Sequence, residues 1–190
     1  MKYFINDFES DCLILTEWIR DLEFIDNSRR KKINSDEGKT YSMLYGVTPY
    51  SILRSKEPRT FREKDTKTNY YLTIGRSKYP VLQSVFEEFR DLHFKDFEFN
   101  SVMINKNLRT KKHRDGQNVG ESIMLGLGDY SEGYLNIEQE NETYKKFKTW
   151  HKLIKFNGSK YEHFTSPFEG ERFTLIFYKM SWTKKKDKKT

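Results

Sequence analysis

The sequence predicts an α+β protein with helices first and an antiparallel β core after them. Two observations lead there. Apolar residues recur at helical spacing over 10–25 and again after Pro80, the period of a helix with one buried face. From Phe97 to Met180 the texture changes to short runs rich in branched and aromatic residues, separated by Gly-containing turns. That succession is the mark of an antiparallel sandwich or barrel.

Each element follows from its own residues. Lys2-Tyr3-Phe4-Ile5 reads as a short strand. Residues 10–25 read as a helix with Ser10 as N-cap and an apolar stripe of Leu13, Trp18, Ile19, Leu22 and Ile25. Residues 27–40 (NSRRKKINSDEGKT) are polar and read as a loop. Within it, Arg29-Arg30-Lys31-Lys32 is either a solvated run or a phosphate contact. Tyr41 to Tyr50 reads as a strand and turn, punctuated by Gly46 and Pro49, residues 54–69 as a charged loop, and Tyr70 to Ile74 as a short strand. Pro80 opens a helix that runs to about Leu92, with Val81, Val85, Phe86 and Phe89 as its apolar stripe; proline suits a first helical turn. The β core then comprises Phe99–Asn105, Ser122–Leu127, Tyr134–Glu138, Leu153–Phe156 with the turn signal Asn157-Gly158, and Arg172–Lys179. With no repeat or linker, the reading is one domain over 1–183. It divides into an N-terminal α/β extension (1–96) and a β core (97–180), followed by a basic tail (184–190).

Composition removes several classes. The chain has 190 residues and a formal charge of +7, of which the tail segment Lys184–Lys189 supplies a net +4. The body is close to neutral, so the basic balance is weak evidence for a nucleic-acid face. The single cysteine, Cys12, allows no internal disulfide and no cysteine-based zinc site. No run approaches the roughly 20 apolar residues of a membrane helix, and the N-terminus lacks the pattern of a signal peptide. The expectation is an intracellular protein, cytoplasmic or nuclear, in a reducing compartment. The aromatic content of 16% supplies core volume that the modest aliphatic content does not.

The chemistry resides in few residues. His113 and Asp115 flank Arg114, and on extended backbone residues two apart point to the same side. With His163 as a third ligand they supply two imidazoles and one carboxylate, the set that binds non-haem Fe(II) on one face of an octahedron. Nine residues after His163 comes Arg172, followed by Thr174 on the same strand face. An arginine in an otherwise apolar strand needs an anionic partner, and a guanidinium with a hydroxyl two residues on suits a carboxylate. The order His-x-Asp, His, Arg-x-Thr fits Fe(II) held beside a dicarboxylate.

Those residues lie in HRDGQNVGESIMLGLGDYSEGYLNIE (113–138) and FNGSKYEHFTSPFEGERFTLIFY (156–178). In them the chain resembles the 2-oxoglutarate-dependent Fe(II) dioxygenases, closest to the TET and base-J thymine hydroxylases and more distantly to AlkB-like demethylases. The resemblance covers about residues 97–180. It implies a double-stranded β-helix (jelly-roll) core with the N-terminal helices packed on one sheet. It implies Fe(II) on His113, Asp115 and His163, and 2-oxoglutarate on Arg172 and Thr174, with O2 as oxidant. It nominates Asn105, with Asn107, beside the co-substrate, and Asn118 at the target base. The second arginine of AlkB enzymes has no counterpart in Thr174–Tyr178, and the Cys-rich zinc segments of animal TET proteins are absent. The implied function is hydroxylation of the 5-methyl group of 5-methylcytosine or thymine in DNA. The alternatives are a prolyl-type side-chain hydroxylase with the same iron site and a non-catalytic jelly-roll module that binds nucleic acid.

The remaining candidates read as structural. His93 and His151 are isolated, Trp150 and Trp182 are core or rim aromatics, and Cys12 is an inert core thiol. Gly126, Gly128 and Gly133 serve bulges and turns rather than a phosphate cradle, since their spacing fits no phosphate-binding motif.

Overall fold

The computed structural model describes residues 2–36, 38–49, 63–66, 70–140 and 143–181. The basic tail, Trp182 and most of the charged stretch 54–69 lie outside the described residues. Helix α1 spans Phe8–Arg20 and a 3-10 turn Ser28–Ile33. Strands β1 (Tyr41–Thr48) and β2 (Tyr71–Leu72) are followed by helices α2 (Ile74–Lys78) and α3 (Leu82–His93). The β region contains β3 (Ser101–Lys106), β4 (Asn118–Glu132), β5 (Leu135–Glu138), β6 (Tyr144–Phe147), β7 (Ile154–Phe156), β8 (His163–Thr165) and β9 (Phe168–Met180).

Among the described residues the strands form two antiparallel sheets. The larger has the order β2-β1-β3-β9-β4-β7 and the smaller β6-β5-β8. His113 adds to the free edge of β8 by pairing with His163. β9 is the spine of the larger sheet and its residues alternate between two environments. Phe173, Leu175 and Phe177 face the helices, where they meet Leu15, Ile19, Val85, Phe86 and Phe89 in one buried cluster. Ile176, Tyr178 and Met180 face the smaller sheet and pack with Met124, Leu135, Ile137 and Phe156. The result is the expected jelly roll, with the helices on the outer face of one sheet and an inner space between the two. β1 belongs to the larger sheet, pairing with β3 from Tyr41↔Lys106 to Gly46↔Ser101.

Several local expectations change, each for a physical reason. Lys2–Ile5 forms no strand. The N–H groups of Tyr3 and Phe4 donate instead to the Glu88 carboxylate, at 2.9–3.1 Å. The first helix begins at Phe8 and not at Ser10, because Asp7 is the N-cap and accepts the Ser10 N–H. It ends at Arg20, so Leu22 and Ile25 lie beyond it. Asp11 is fully buried yet satisfied by the N–H groups of Ile5 and Asn6 and by His93 Nε2 at 2.9 Å. In α3 the buried stripe begins at Leu82, and Val81 is the exposed N-cap residue. Tyr70–Ile74 is divided between β2 and the start of α2, capped by the Thr73 hydroxyl.

Candidate functional site

The inner space between the sheets ends in a pocket with about 540 Å³ of empty space, its open mouth included. His113, Asp115 and His163 lie on its wall and converge, their ligand atoms all within 4.8 Å of one another. His113 Nε2 is 3.8 Å from one Asp115 oxygen and His163 Nε2 is 3.7 Å from the other. The backbone makes this convergence. His113 and His163 exchange both N–H···O bonds as an antiparallel pair, at 3.1 and 3.0 Å. The Asp115 N–H then donates to the Gly158 carbonyl at 2.8 Å, which fixes the carboxylate against the turn before β8.

These residues fit a metal ion. The Nδ1 atoms of His113 and His163 face the carbonyls of Lys111 and Tyr161 at 2.7 and 3.1 Å. Donation there places the ring proton on Nδ1 and leaves the Nε2 lone pairs turned toward the carboxylate. A first-row metal takes such ligands at about 2.0–2.2 Å, which puts cis ligands of an octahedron about 3 Å apart, so the two imidazole–carboxylate separations close by less than about an ångström on binding. Burial, together with repulsion from His163, pushes the His113 imidazole below its ordinary value, which favours the neutral, ligating form.

Behind the triad, one face of β9 continues with Thr174 and Arg172. Thr174 Oγ1 accepts from Asn105 Nδ2 at 3.0 Å, and Asn105 Oδ1 accepts from the Ser42 hydroxyl at 2.8 Å. This chain leaves the Thr174 O–H free to donate into the pocket that Thr174 and Asn105 line. Arg172 stands one step further along, outside that lining. It is 2% exposed, and its guanidinium lies 5.3 Å from the Tyr130 and Phe168 ring centroids and donates to the Gly133 carbonyl at 3.2 Å. Its Nε has no hydrogen-bond partner. A buried cation with an unused donor is suited to receive a carboxylate, and Gly133 leaves room beside it, where a Cβ would sit 2.9 Å from Arg172 Nε.

Asn118 also lines the pocket, with its amide donating to Asp115 Oδ2 at 3.0 Å and to Ser122 Oγ at 3.1 Å. Asn107 stands apart: with φ of 49° it turns the chain after β3 and accepts the Arg172 backbone N–H at 2.7 Å. His93 and His151 lie away from the triad, paired with Asp11 and Glu9.

Three residues close to Asp115 were not singled out as site residues by the sequence: Arg30 and Tyr178 in the pocket lining, and Gly158 on the turn before β8. Arg30, within the basic run, lines the pocket close enough to interact with Asp115 and Tyr178. Tyr178, on the inner face of β9, has its phenol pushed upward by burial and by Asp115. Gly158 does more than turn the chain, because a Cβ there would sit 2.6 Å from Asp115 Oδ2. Of the three, only Tyr178 had a usable signal, its alternation with Thr174 and Ile176 along the strand.

No protein-family model matches the chain, and no curated protein matches it. Solved structures do. The structure described as NgTET1 in complex with 5mC DNA superposes with a TM-score of 0.52 at 14% identity, over 91% of this chain and 69% of that one. An oxidoreductase of the 2OG-Fe(II) oxygenase family from Burkholderia pseudomallei superposes with a TM-score of 0.53 at 12% identity, over 87% of this chain and 77% of that one. The protein therefore has the double-stranded β-helix fold of the 2-oxoglutarate/Fe(II) oxygenases.

Proposed function

We propose that the protein is an Fe(II)- and 2-oxoglutarate-dependent dioxygenase, with His113, Asp115 and His163 as metal ligands. The observation that carries this reading is the convergence of two Nε2 atoms and one carboxylate at the end of a pocket whose polar wall leads to a buried arginine. Bound iron, 2-oxoglutarate and O2 together supply the oxidising power to convert a C–H bond to C–OH, as the 2-oxo acid loses CO2 and becomes succinate. The residues of this chain do the rest. The Lys111 and Tyr161 carbonyls orient the imidazoles. Asn118 holds one oxygen of Asp115 and so fixes the carboxylate's rotation. Thr174 and Arg172 receive the far carboxylate of the co-substrate, with Asn105 orienting the Thr174 hydroxyl. Met103, Met124, Leu135 and Ile176 give the pocket an apolar wall that limits water.

For the substrate we propose the 5-methyl group of a pyrimidine base, 5-methylcytosine or thymine, in DNA. The resemblance of segments 113–138 and 156–178, the place of Asn118 in the pocket wall, and the fold shared with a structure solved on 5mC DNA support it. The base would leave the helix to reach the pocket.

The test is anaerobic loading with Fe(II) and 2-oxoglutarate, then admission of O2 with oligonucleotides containing 5-methylcytosine or thymine and with proline-containing peptides as separate substrates. Mass spectrometry should find one added oxygen on the oligonucleotide, matched by succinate. Oxygen on the peptide alone would reverse the substrate reading. The absence of succinate under every condition, or the same yield from His163→Ala, would remove the oxygenase reading.

A further inference from the structure

One basic side chain, Arg30, lines the pocket, and pairing between two chain segments far apart in sequence holds it there. The 3-10 turn Ser28–Ile33 is clamped at its C-terminal end to the approach to His113. The Lys111 N–H donates to the Ile33 carbonyl at 2.7 Å, the Ser35 N–H donates to the Arg109 carbonyl at 2.8 Å, and Asn34 pairs with Thr110. At its other end the Arg30 N–H donates to the Asn27 carbonyl, and the Asn27 N–H to that of Thr40. Backbone bonds at both ends thus hold the turn, and with it Arg30, against the pocket. They bring Arg30, Lys31 and Lys32 beside Arg109, Lys111 and Lys112.

The members differ in what they face. Lys31 pairs with Asp26 at 3.1 Å and Arg109 with Asp36 at 3.3 Å, both at exposed positions. Lys112 lies 4.3 Å from the Tyr144 ring centroid. Arg30 alone turns inward and lines the pocket that contains the triad. Its Nε is buried without a hydrogen-bond partner, the only such side-chain atom besides Arg172 Nε among the described residues. Burial disfavours the Arg30 cation, while Asp115 and Tyr178 are the groups that favour it.

An unused buried donor of fixed positive charge calls for an anion. On the proposed function, on which this inference rests, that anion is not the co-substrate. Iron with Asp115 brings one net positive charge, and Arg172 and Arg30 bring one each. 2-Oxoglutarate removes two, so the loaded pocket keeps one positive charge beside the reacting centre. The exposed lysines of the same two paired segments, Lys32, Lys111 and Lys112, point to a polyanion outside the pocket rather than a lone carboxylate within it.

We infer that Arg30 receives the backbone phosphate of the target nucleotide, and that Lys32, Lys111 and Lys112 form an outer rim for neighbouring phosphates. A side chain contacting phosphate weakens binding across sequences and contributes about one unit to the salt slope.

The test is fluorescence anisotropy of a labelled single-stranded oligonucleotide containing 5-methylcytosine. The full chain, loaded anaerobically with Fe(II) and 2-oxoglutarate, is titrated across a salt series so that no turnover is needed. Arg30→Gln should weaken binding roughly tenfold or more, as loss of a charge-assisted hydrogen bond does, and reduce the salt slope by about one. Lys32→Ala with Lys111→Ala should reduce the slope by about two. Lys95→Ala, an exposed position next to α3 on the helical side of the larger sheet, should change neither. Arg30→Lys should restore most of the slope but only part of the affinity, since it keeps the charge and loses the fork. The 2-oxoglutarate Kd of Arg30→Gln, measured on the same samples, should match wild type.

Unchanged oligonucleotide affinity in Arg30→Gln would overturn the inference. So would a weakened 2-oxoglutarate Kd with oligonucleotide binding intact, which would place Arg30 at the co-substrate. A salt-insensitive wild type would overturn it as well. These outcomes are independent of whether succinate forms, so failure here and failure of the oxygenase reading are separable.

Discussion

Replacing Gly158 by alanine tests the metal site without touching a ligand. The backbone at Gly158 lies outside the left-handed region, so alanine is conformationally acceptable there. The obstacle is local. The added Cβ would sit 2.6 Å from Asp115 Oδ2, whereas ordinary contact begins at 3.4 Å. Relief requires the carboxylate to move by about 0.8 Å, since His163 Cε1 and Phe156 Cε2, each 3.2 Å from the same Cβ, block retreat in other directions. Metal-ligand distances are defined to about 0.2 Å, so a shift of that size unseats the oxygen and strains its bond from Asn118. Damage to a group that orients a ligand typically costs about 10- to 100-fold in metal affinity. The fold itself should hold, because the restriction of the unfolded chain that favours alanine by about 0.4–1 kcal/mol offsets part of this local crowding. The assay pairs an anaerobic titration with Fe(II), or Mn(II) as a redox-silent substitute, with the Tm of the metal-free protein. The expected result is weaker metal binding at a Tm close to that of the wild type. Wild-type metal affinity in Gly158→Ala would refute the assignment of Asp115 as a ligand held by this turn.

Three further outcomes follow from the site. Arg172→Met should raise the 2-oxoglutarate Kd by about 2–5 kcal/mol equivalent, the usual loss when one partner of a buried charge pair is removed, and Thr174→Val by about 1 kcal/mol; calorimetric titration under nitrogen reads both, and an unchanged Kd in Arg172→Met would remove its role. The metal-free protein should lose stability as pH falls through about 6.5, the unfolded histidine value. His113 is held below it by burial and by His163, so the unfolded chain binds the extra proton first; Tm between about pH 7.5 and 5.5 should fall less for His113→Asn than for wild type. Cys12 is fully buried with its thiol pushed up to about 12, so a thiol reagent at about pH 8 should label it only after denaturation, and labelling of the native protein would show that α1 opens.

What was legible in the sequence was what depends on short spacing. His-x-Asp and Arg-x-Thr each put two side chains on one face of extended backbone, and strand alternation located them. The strand character of Tyr41–Tyr50 was legible, but its pairing with β3, which carries the buried chain from Ser42 to Thr174, was not, because a register between distant strands leaves no local signal and the segment read as part of the N-terminal extension. Arg30 was not legible as a pocket residue. Its segment has no periodicity, and what turns it inward is backbone pairing of residues 34 and 110, a contact between loops that local composition does not encode. Tyr3–Ile5 misled for the opposite reason, since strand-like residues there found carboxylate partners in α3 and α1 rather than a strand. Asn157-Gly158 announced a turn correctly, but the need for glycine comes from Asp115, 43 positions earlier.

The reciprocal backbone bonds between His113 and His163 have a further consequence. Two of the three ligands are rungs of the same ladder, at the edge of the smaller sheet, closing a 50-residue excursion of the chain. A coordinated ion would staple that edge, so its affinity would reappear as local resistance to opening, growing with RT ln(1 + [M]/Kd). Amide hydrogen exchange at residues 113 and 163 should therefore slow in proportion to metal saturation while the helical side exchanges as before. Fraying of this edge, in turn, sets how quickly the site can release its ion.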